Sequence, residues 1–433
     1  MSKTKRIVLS DMGFRGDTVT RVDDETWFVA GGIPGEEVVV ERVKRDRRFV
    51  YARVKEVVEP APQRVDPPCP YFGRCGGCQW QHVDYETQLA FKTDLVREQL
   101  RRRGDFEDPP VRPAIGMDEP WHYRNQARFT IGHDGELGFN EHFTRRFLPI
   151  DECLILHPKI NEVLHELQGR CSDVKHQLVV RYGFHTGELM VFPQVPVENL
   201  PFETGQRYFH EALHGHRFQV FDSSFFQTNT LQAERLGQLV QEKLALTGSE
   251  VVVDAYCGVG AFGVLLAEQV GRVIGIEESA TAIADARENI KGIDSPSTPR
   301  QAPFDKACPE FIEGLRTSLQ QAQDGARDGA GSGQRIELIE GKTEEVLPQL
   351  EGPIDAVILD PPRAGCRPVV LQALIELRPP RIIYVSCDPY TLARDLRILV
   401  DGGFDLIEVQ PVDMFPQTYH VESVTTLYHH NTF

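Results

Sequence analysis

The stretch that most restricts the possible folds is VVVDAYCGVGAFGVLLAE (251–268), followed by RVIGIEES (272–279) and ATAIADARENI (280–290). A Val-rich apolar run ends in Asp254, a glycine turn leads into a helical pattern, and a second apolar run ends in Glu277. This is a βαβ unit, whose two strands must lie parallel with a helix crossing between them. Further short apolar runs at 336–340, 354–360, 381–387, 404–412 and 424–430 predict an α/β domain with a Rossmann-like, doubly wound and mostly parallel sheet.

Gly258 and Gly260 allow close backbone approach of a ligand, and the helix that follows offers its N-terminal N–H groups. The glycine spacing is not that of the dinucleotide fingerprint. Glu277 ends the next strand, where a carboxylate can accept from both hydroxyls of a ribose. Together they read as a nucleoside site, with a shape that favours S-adenosylmethionine over NAD. ILDPPRAG (358–365) ends another strand in Asp360, and its two prolines make a rigid turn that would present a polar group beside a transferred methyl. A strand-terminating cap is the plainer reading of the same residues.

IIYVSCDPYTLARDL (382–396) places Cys387 at a strand end, just before a helix start. The carboxyl edge of such a sheet is where ligands bind, which disfavours a plain core cysteine. A helix N-terminus is expected to lower the thiol pKa and sharpen it as a nucleophile. HVESV (420–424) brings Glu422 to the start of the last strand. A nucleophile and a carboxylate beside a methyl donor describe methylation at C5 of a pyrimidine, an unreactive carbon until a thiolate adds at C6. Amine or cytosine methylation is the rival chemistry, and a non-catalytic RNA-binding protein the rival class.

CPYFGRCGGCQWQH (69–82) carries Cys69, Cys75 and Cys78, three thiols within ten residues. In a chain with no secretory signal this spacing points to a metal before a disulfide. A fourth ligand is needed, and Cys153 in PIDECLIL is the best placed; zinc and an iron–sulfur cluster both remain open.

Residues 1–58 alternate apolar and polar positions between glycines, the pattern of a small β-barrel. PAPQRVDPPCP (60–70) is a connector, and 90–235 is the least legible part. The net charge of −17 argues against a polyanion partner, yet its distribution does not. RVKRDRRFVYARVK (42–55) holds seven Lys/Arg against Asp46 alone, and KTDLVREQLRRR (92–103) is a second basic stretch. Residues 292–334 form a Gly/Ala/Gln/Ser/Pro-rich insertion, expected to be a mobile surface segment in which Cys308 is incidental. No run reaches transmembrane length, so a cytoplasmic protein with no membrane contact is expected.

These motifs resemble the RNA uracil-5 methyltransferase family over nearly the whole chain outside the insertion. The resemblance implies an oligonucleotide-binding-like TRAM barrel at 1–58, for which GGIPGEEVVVERV is family-like. It further implies a central α+β domain at 59–235 with RNA contacts and a cluster on Cys69, Cys75, Cys78 and Cys153, and a methyltransferase domain at 236–433. It favours [4Fe–4S] over zinc. Gln227 in FFQTN, Tyr256, Glu277 and Asp360 match S-adenosylmethionine contacts, Cys387 the nucleophile and Glu422 the base. Asp388 stands where Asn is frequent. A monomer acting on RNA is expected, with 23S rRNA as the target and the T-loop uridine of tRNA as the alternative.

Overall fold

The computed structural model describes residues 4–142, 144, 146–175, 177–291, 293 and 335–430. The expected insertion at 292–334, Cys308 included, therefore lies outside the described residues apart from Ile293.

Six strands come first: β1 (Thr4–Val8), β2 (Asp11–Met12), β3 (Thr18–Val22), β4 (Glu25–Ala30), β5 (Glu37–Asp46) and β6 (Phe49–Glu59). They form one sheet in the order β1-β5-β6-β4-β3-β2, with β4 and β6 parallel. The alternation read in the sequence is visible in β4 and β5, whose inward side chains Trp27, Val29, Val38 and Val40 are buried. With Val50 and Ala52 they make a small core of their own. The sheet curls until Thr20 Oγ1 on β3 donates to Val8 O on β1 at 3.0 Å.

The cysteine-bearing segment 69–82 leads into helix α1 (Tyr85–Gly104), which is capped by the Asp84 side chain on Thr87 N and ends in Arg101, Arg102 and Arg103. Acid at the start and base at the end suit the helix dipole. A five-stranded antiparallel sheet follows, built from β7 (Gln126–Ile131), β8 (Leu137–Asn140), β9 (Phe147–Pro149), β10 (Gln177–Tyr182) and β11 (Leu189–Phe192). Helix α2 (Pro158–Leu167) covers it, burying Ile160, Val163, Leu164 and Leu167. The hairpin of β12 (Tyr208–Leu213) and β13 (His216–Phe221) and helix α3 (Thr230–Leu244) complete this part.

The third sheet has seven strands in the order β16-β15-β14-β17-β18-β20-β19. In chain order its elements are β14 (Val251–Ala255), α4 (Ala261–Leu266), β15 (Arg272–Glu277), α5 (Ala280–Lys291), β16 (Ile336–Glu340), α6 (Thr343–Val346), β17 (Ala356–Leu359), α7 (Pro368–Leu377), β18 (Arg381–Ser386), α8 (Pro389–Asp401), β19 (Phe404–Val412) and β20 (Glu422–His429). Strands β14 to β18 are parallel. The last two strands depart from the parallel pattern, because β20 inserts antiparallel between β18 and β19. A nine-residue connection from Asp413 to Val421 cannot carry a crossover helix, so the chain turns back as a hairpin.

Both faces of this sheet are covered, as near-continuous apolar strands require. Helices α1, α7 and α8 pack on one face through Val96, Leu100, Leu371 and Leu396. The β12–β13 hairpin, α3 and α4 pack on the other through Phe209, Phe218, Leu236 and Val264. Burying each such branched or aromatic side chain contributes about 1.5–3 kcal/mol. Two segments from before residue 236 are thus part of this layered core, which local sequence pattern did not reveal.

The basic stretch 92–103 divides: Arg101, Arg102 and Arg103 are exposed, while Lys92 is not. Lys92 is fully buried and ion-paired with Asp413, while Arg97 and Arg102 pair with Asp94 and Glu98 along the helix. Lys92 sits on the face of α1 turned to the sheet, where its charge requires a buried partner.

Candidate active site

The strand order reverses between β14 and β17, so the crevice of this sheet opens at their carboxyl ends. The glycine turn after β14 lines it. Tyr256 and Gly258 have φ of 65° and 54° and Gly260 has 81°. A Cβ on Gly258 would meet nothing within 4 Å. Glu277, at the end of β15, accepts from Gly258 N at 3.0 Å and from Ser279 N at 2.7 Å. Its carboxylate thus braces the turn and retains lone pairs toward the crevice. Asp254, the last polar residue of β14, is fully buried. One of its oxygens accepts from Gly263 N at 3.2 Å, while Oδ1 has no hydrogen-bond partner among the described residues. Burial, then Asp360, raises its pKa to about 8.

Asp360 follows β17, and burial raises it to about 7. The turn after it, PPRAGC, is held from above by α8. Thr391 Oγ1 donates to Arg363 O at 3.1 Å, and Arg394 Nη2 donates to Ala364 O at 3.0 Å. Asp395 is buried beneath, accepting from Cys366 N at 2.8 Å and from Tyr384 Oη at 2.7 Å. Asp360 and Arg363 therefore stand on a loop clamped to the same helix that begins beside Cys387.

Cys387 sits between β18 and α8. Asp388 caps that helix, its Oδ1 accepting from Tyr390 N at 2.9 Å and Thr391 N at 3.2 Å, with Pro389 in the first turn. This accounts for Asp388, and it overturns the expected lowering of the Cys387 pKa. The helix donors are already taken by a carboxylate. Burial, then Glu422, raises the thiol to about 12, with Asp360 and Asp388 adding to it and Arg363 opposing.

Glu422 opens β20 and is buried. Burial, then Asp360, holds its carboxyl well above the usual range, and Arg363 pulls the other way. His420, two residues earlier, is pushed down to about 4 by burial and by Arg363, Lys92 and Arg124. Cys387, Glu422, Asp360, Asp254 and Glu277 thus form one electrostatically linked row along the carboxyl edge.

The remaining two candidates stand differently. Tyr256 packs against the α7 side of the sheet and its hydroxyl is directed to Cys366, so only its backbone and ring edge border the turn. Gln227 lies in the segment entering α3, where Asn125 Nδ2 donates to its carbonyl at 3.2 Å. Arg363 and Asp254 are residues to which motif reading gave no role. Both were visible at strand ends, yet their roles depend on which strands become neighbours.

Cys69, Cys75, Cys78 and Cys153 line a single cavity of about 430 Å³, together with Gln81, Arg124 and His142. None of the four forms a disulfide among the described residues. Burial raises Cys75, Cys78 and Cys153, the last to about 11. Gly77 N donates to Cys75 Sγ at 3.4 Å. The Gln81 side chain bonds Cys78, and the Ile155 and Leu156 N–H groups bond Cys153. Such donors suit sulfurs that carry charge. Among the described residues no group of three or more His, Cys, Asp or Glu is arranged to hold a metal ion.

Comparison with known proteins gives a consistent result. Residues 350–430 match the model of the tRNA (uracil-5-)-methyltransferase family. The chain is 32% identical to an RNA methyltransferase of Halalkalibacterium halodurans over 97% of its own length and 96% of the relative's. It is 33% identical to one of Gloeobacter violaceus, covering 98% and 96%. It is similar in structure to the Pyrococcus abyssi tRNA (uracil-54, C5)-methyltransferase crystallised with S-adenosyl-L-homocysteine, at a TM-score of 0.71 and 26% identity, covering 98% of this chain and 100% of that one. On its edge of linked acids and thiol, and on near full-length relatives at this level of identity, the chain belongs to the RNA uracil-5 methyltransferase family.

Proposed function

We propose that this protein transfers a methyl group from S-adenosylmethionine to C5 of a uridine in RNA, with Cys387 as nucleophile and Glu422 as base. The observation that carries the proposal is the β18–β20 register. Ser386 pairs with Ser423, which brings the next residues, Cys387 and Glu422, side by side at the crevice. The S-adenosylhomocysteine bound by the Pyrococcus abyssi enzyme supports the choice of donor. Glu277, the Tyr256 backbone, Asp360 and Gln227 are the proposed contacts to it. The donor is a sulfonium cation, and a positive charge among Asp360, Glu422 and Cys387 favours their ionised forms.

In this reading the Cys387 thiolate bonds to C6 of an extruded uracil, and the ring electrons move to C5, which takes the methyl group of S-adenosylmethionine as its S–CH3 bond breaks and S-adenosylhomocysteine is released. Glu422 then removes the C5 proton, the C5–C6 double bond re-forms and the Cys387 sulfur leaves. Extrusion is required because C5 and C6 are inaccessible within a stacked helix. The curled N-terminal sheet at 1–58 and its basic strands are proposed to bind RNA as a TRAM barrel, with further contacts from 59–235.

The four thiols are proposed to hold a [4Fe–4S] cluster. A single zinc needs sulfurs at about 2.3 Å from one point. Four cysteines around one cavity supply the number of thiolate ligands that such a cluster takes. It would brace the 69–82 segment, since the reaction exchanges no electrons. The chemical test is direct. Cys387→Ala abolishes methyl transfer while S-adenosylhomocysteine still binds, and Glu422→Gln accumulates a denaturation-stable RNA–protein adduct. Failure to trap that adduct removes Glu422 as the base. The target is proposed as 23S rRNA, and the tRNA activity of the Pyrococcus abyssi relative supports the T-loop uridine as the second reading. Mapping 5-methyluridine in both RNAs of a deletion strain separates them.

A further inference from the structure

The connection from Asp413 to Val421 joins β19 to β20, whose outermost pair is Val412 with Glu422. In its middle, Gln417 is 3% exposed and adopts φ of 69°, a left-handed conformation that costs a non-glycine residue about 1–2 kcal/mol. Strain of this kind persists only where the surroundings over-determine it. Here four hydrogen bonds do so. Gln79 N and Trp80 N both donate to Gln417 O at 3.0 Å. Gln88 Nε2 on α1 donates to Gln417 Oε1 at 3.0 Å, and Gln417 N donates to Gln88 Oε1 at 3.0 Å.

The donors on one side directly follow Cys78, a wall of the four-thiol cavity. Trp80 is fully buried and also donates through Nε1 to Gly16 O at 2.9 Å. Tyr123 Oη donates to the neighbouring Pro416 O at 3.0 Å. One residue of backbone therefore separates a cavity thiol from the loop whose far end is Glu422. Two backbone bonds to a single carbonyl join the 69–82 segment to that loop.

We propose that Gln417 is a positioning residue that transmits the state of the four-thiol cavity to Glu422, so that emptying the cavity slows proton removal from C5 rather than RNA binding. This rests on the assignment of Cys387 and Glu422 above. The coupling explains why a cysteine segment remote in sequence is hydrogen-bonded to the catalytic hairpin, although the reaction transfers no electrons.

The test uses the full chain purified anaerobically, RNA from a deletion strain and labelled S-adenosylmethionine. Gln417→Ala is expected to keep the iron and sulfide content of the parent protein and its KM for RNA within about twofold, while kcat falls about tenfold. It is also expected to accumulate a denaturation-stable adduct with ordinary uridine RNA, as Glu422→Gln does. Gln417→Asn, which tolerates the left-handed backbone and keeps an amide, recovers most of kcat. Should Gln417→Ala fold poorly in a thermal melt, Gln88→Leu tests the same bond from α1. Cys78→Ala is expected to produce the same adduct on ordinary RNA. A kcat within about twofold of the parent and no adduct in the Gln417 and Gln88 variants overturns the coupling. A change confined to KM overturns it as well. If the parent protein itself neither methylates RNA nor forms an adduct with 5-fluorouridine RNA, the assignment of Cys387 and Glu422 fails, and the coupling with it.

Discussion

Ser386 on β18 faces Ser423 on β20 in an antiparallel register, and the same register carried one residue outward sets Cys387 against Glu422. This pair exists only because the final strand inserts between β18 and β19. A seventh strand added in parallel at the edge would have carried Glu422 to the far end of the sheet. The reversal of the last hairpin is therefore what unites a thiol and a carboxylate that lie 35 residues apart in the chain.

The electrostatics of this pair predict an alkaline rise in activity. Burial and Glu422 raise Cys387 to about 12, so the free protein carries a thiol at neutral pH. Its thiolate fraction grows about tenfold per pH unit below that value. The kcat/KM for RNA is expected to climb with a slope near one on a log scale across roughly pH 6 to 9. Arg363 lowers both Cys387 and Glu422, so Arg363→Met moves the rise to higher pH and slows the reaction at pH 7. A flat profile in the parent protein, measured at sub-saturating RNA, removes thiol ionisation from the rate.

The crevice beside Gly258 predicts a donor-site variant that spares the fold. An added Cβ would meet no atom of the described residues within 4 Å, while φ of 54° costs a non-glycine residue about 1–2 kcal/mol. Gly258→Ala is expected to melt only slightly below the parent protein. Its affinity for S-adenosylhomocysteine is expected to fall about tenfold, because the methyl occupies ligand space. Calorimetric titration and a thermal melt on the same sample check both halves, and unchanged affinity places the donor elsewhere.

The sequence made the sheet legible because buried parallel strands are short apolar runs that end in Asp254, Glu277, Asp360 and Cys387, residues that stand out against Val and Ile. The cysteine spacing drew attention to the segment that the fold brings to one cavity with Cys153. What stayed hidden depends on contacts between distant segments. Lys92 looks like a surface cation until α1 docks and Asp413 meets it. The thiol of Cys387 looked activated by a helix start until Asp388 was seen to take the helix N–H groups. Gln417 carries no local signal at all, since its left-handed backbone is imposed by Gln79, Trp80 and Gln88.

Asp254 predicts a stability loss as pH rises. Burial raises its folded pKa to about 8, from 3.8 for an unperturbed aspartate. Between those values the folded protein holds a proton that the unfolded chain has released, so the folded state loses stability as pH climbs through that window. Asp254→Asn replaces the buried carboxyl with a neutral amide. Its melting temperature is expected to fall less than the parent's between pH 5 and 8. Parallel curves for the two proteins would show that Asp254 does not titrate on unfolding. The variant is also expected to retain its fold at pH 8, where the parent carries the larger penalty.

The Lys92–Asp413 pair predicts an asymmetry between single and double substitution. Both side chains are fully buried. Lys92 also donates to Phe415 O at 3.0 Å, and Asp413 Oδ1 accepts from Phe415 N at 3.1 Å. Removing one member leaves the other as an uncompensated buried charge, which costs about 3–5 kcal/mol. Lys92→Met and Asp413→Leu are each expected to lower the unfolding free energy, read from denaturant titration, by that amount. The double variant Lys92→Met/Asp413→Leu removes both desolvation costs and is expected to recover most of the loss, because replacing a buried pair by apolar residues is often neutral. Additive losses in the double variant would mean that the pair does not interact across α1 and the β19–β20 connection. Recovery of stability without recovery of methyl transfer would assign the pair to the placement of that connection, and so of Glu422 at its end.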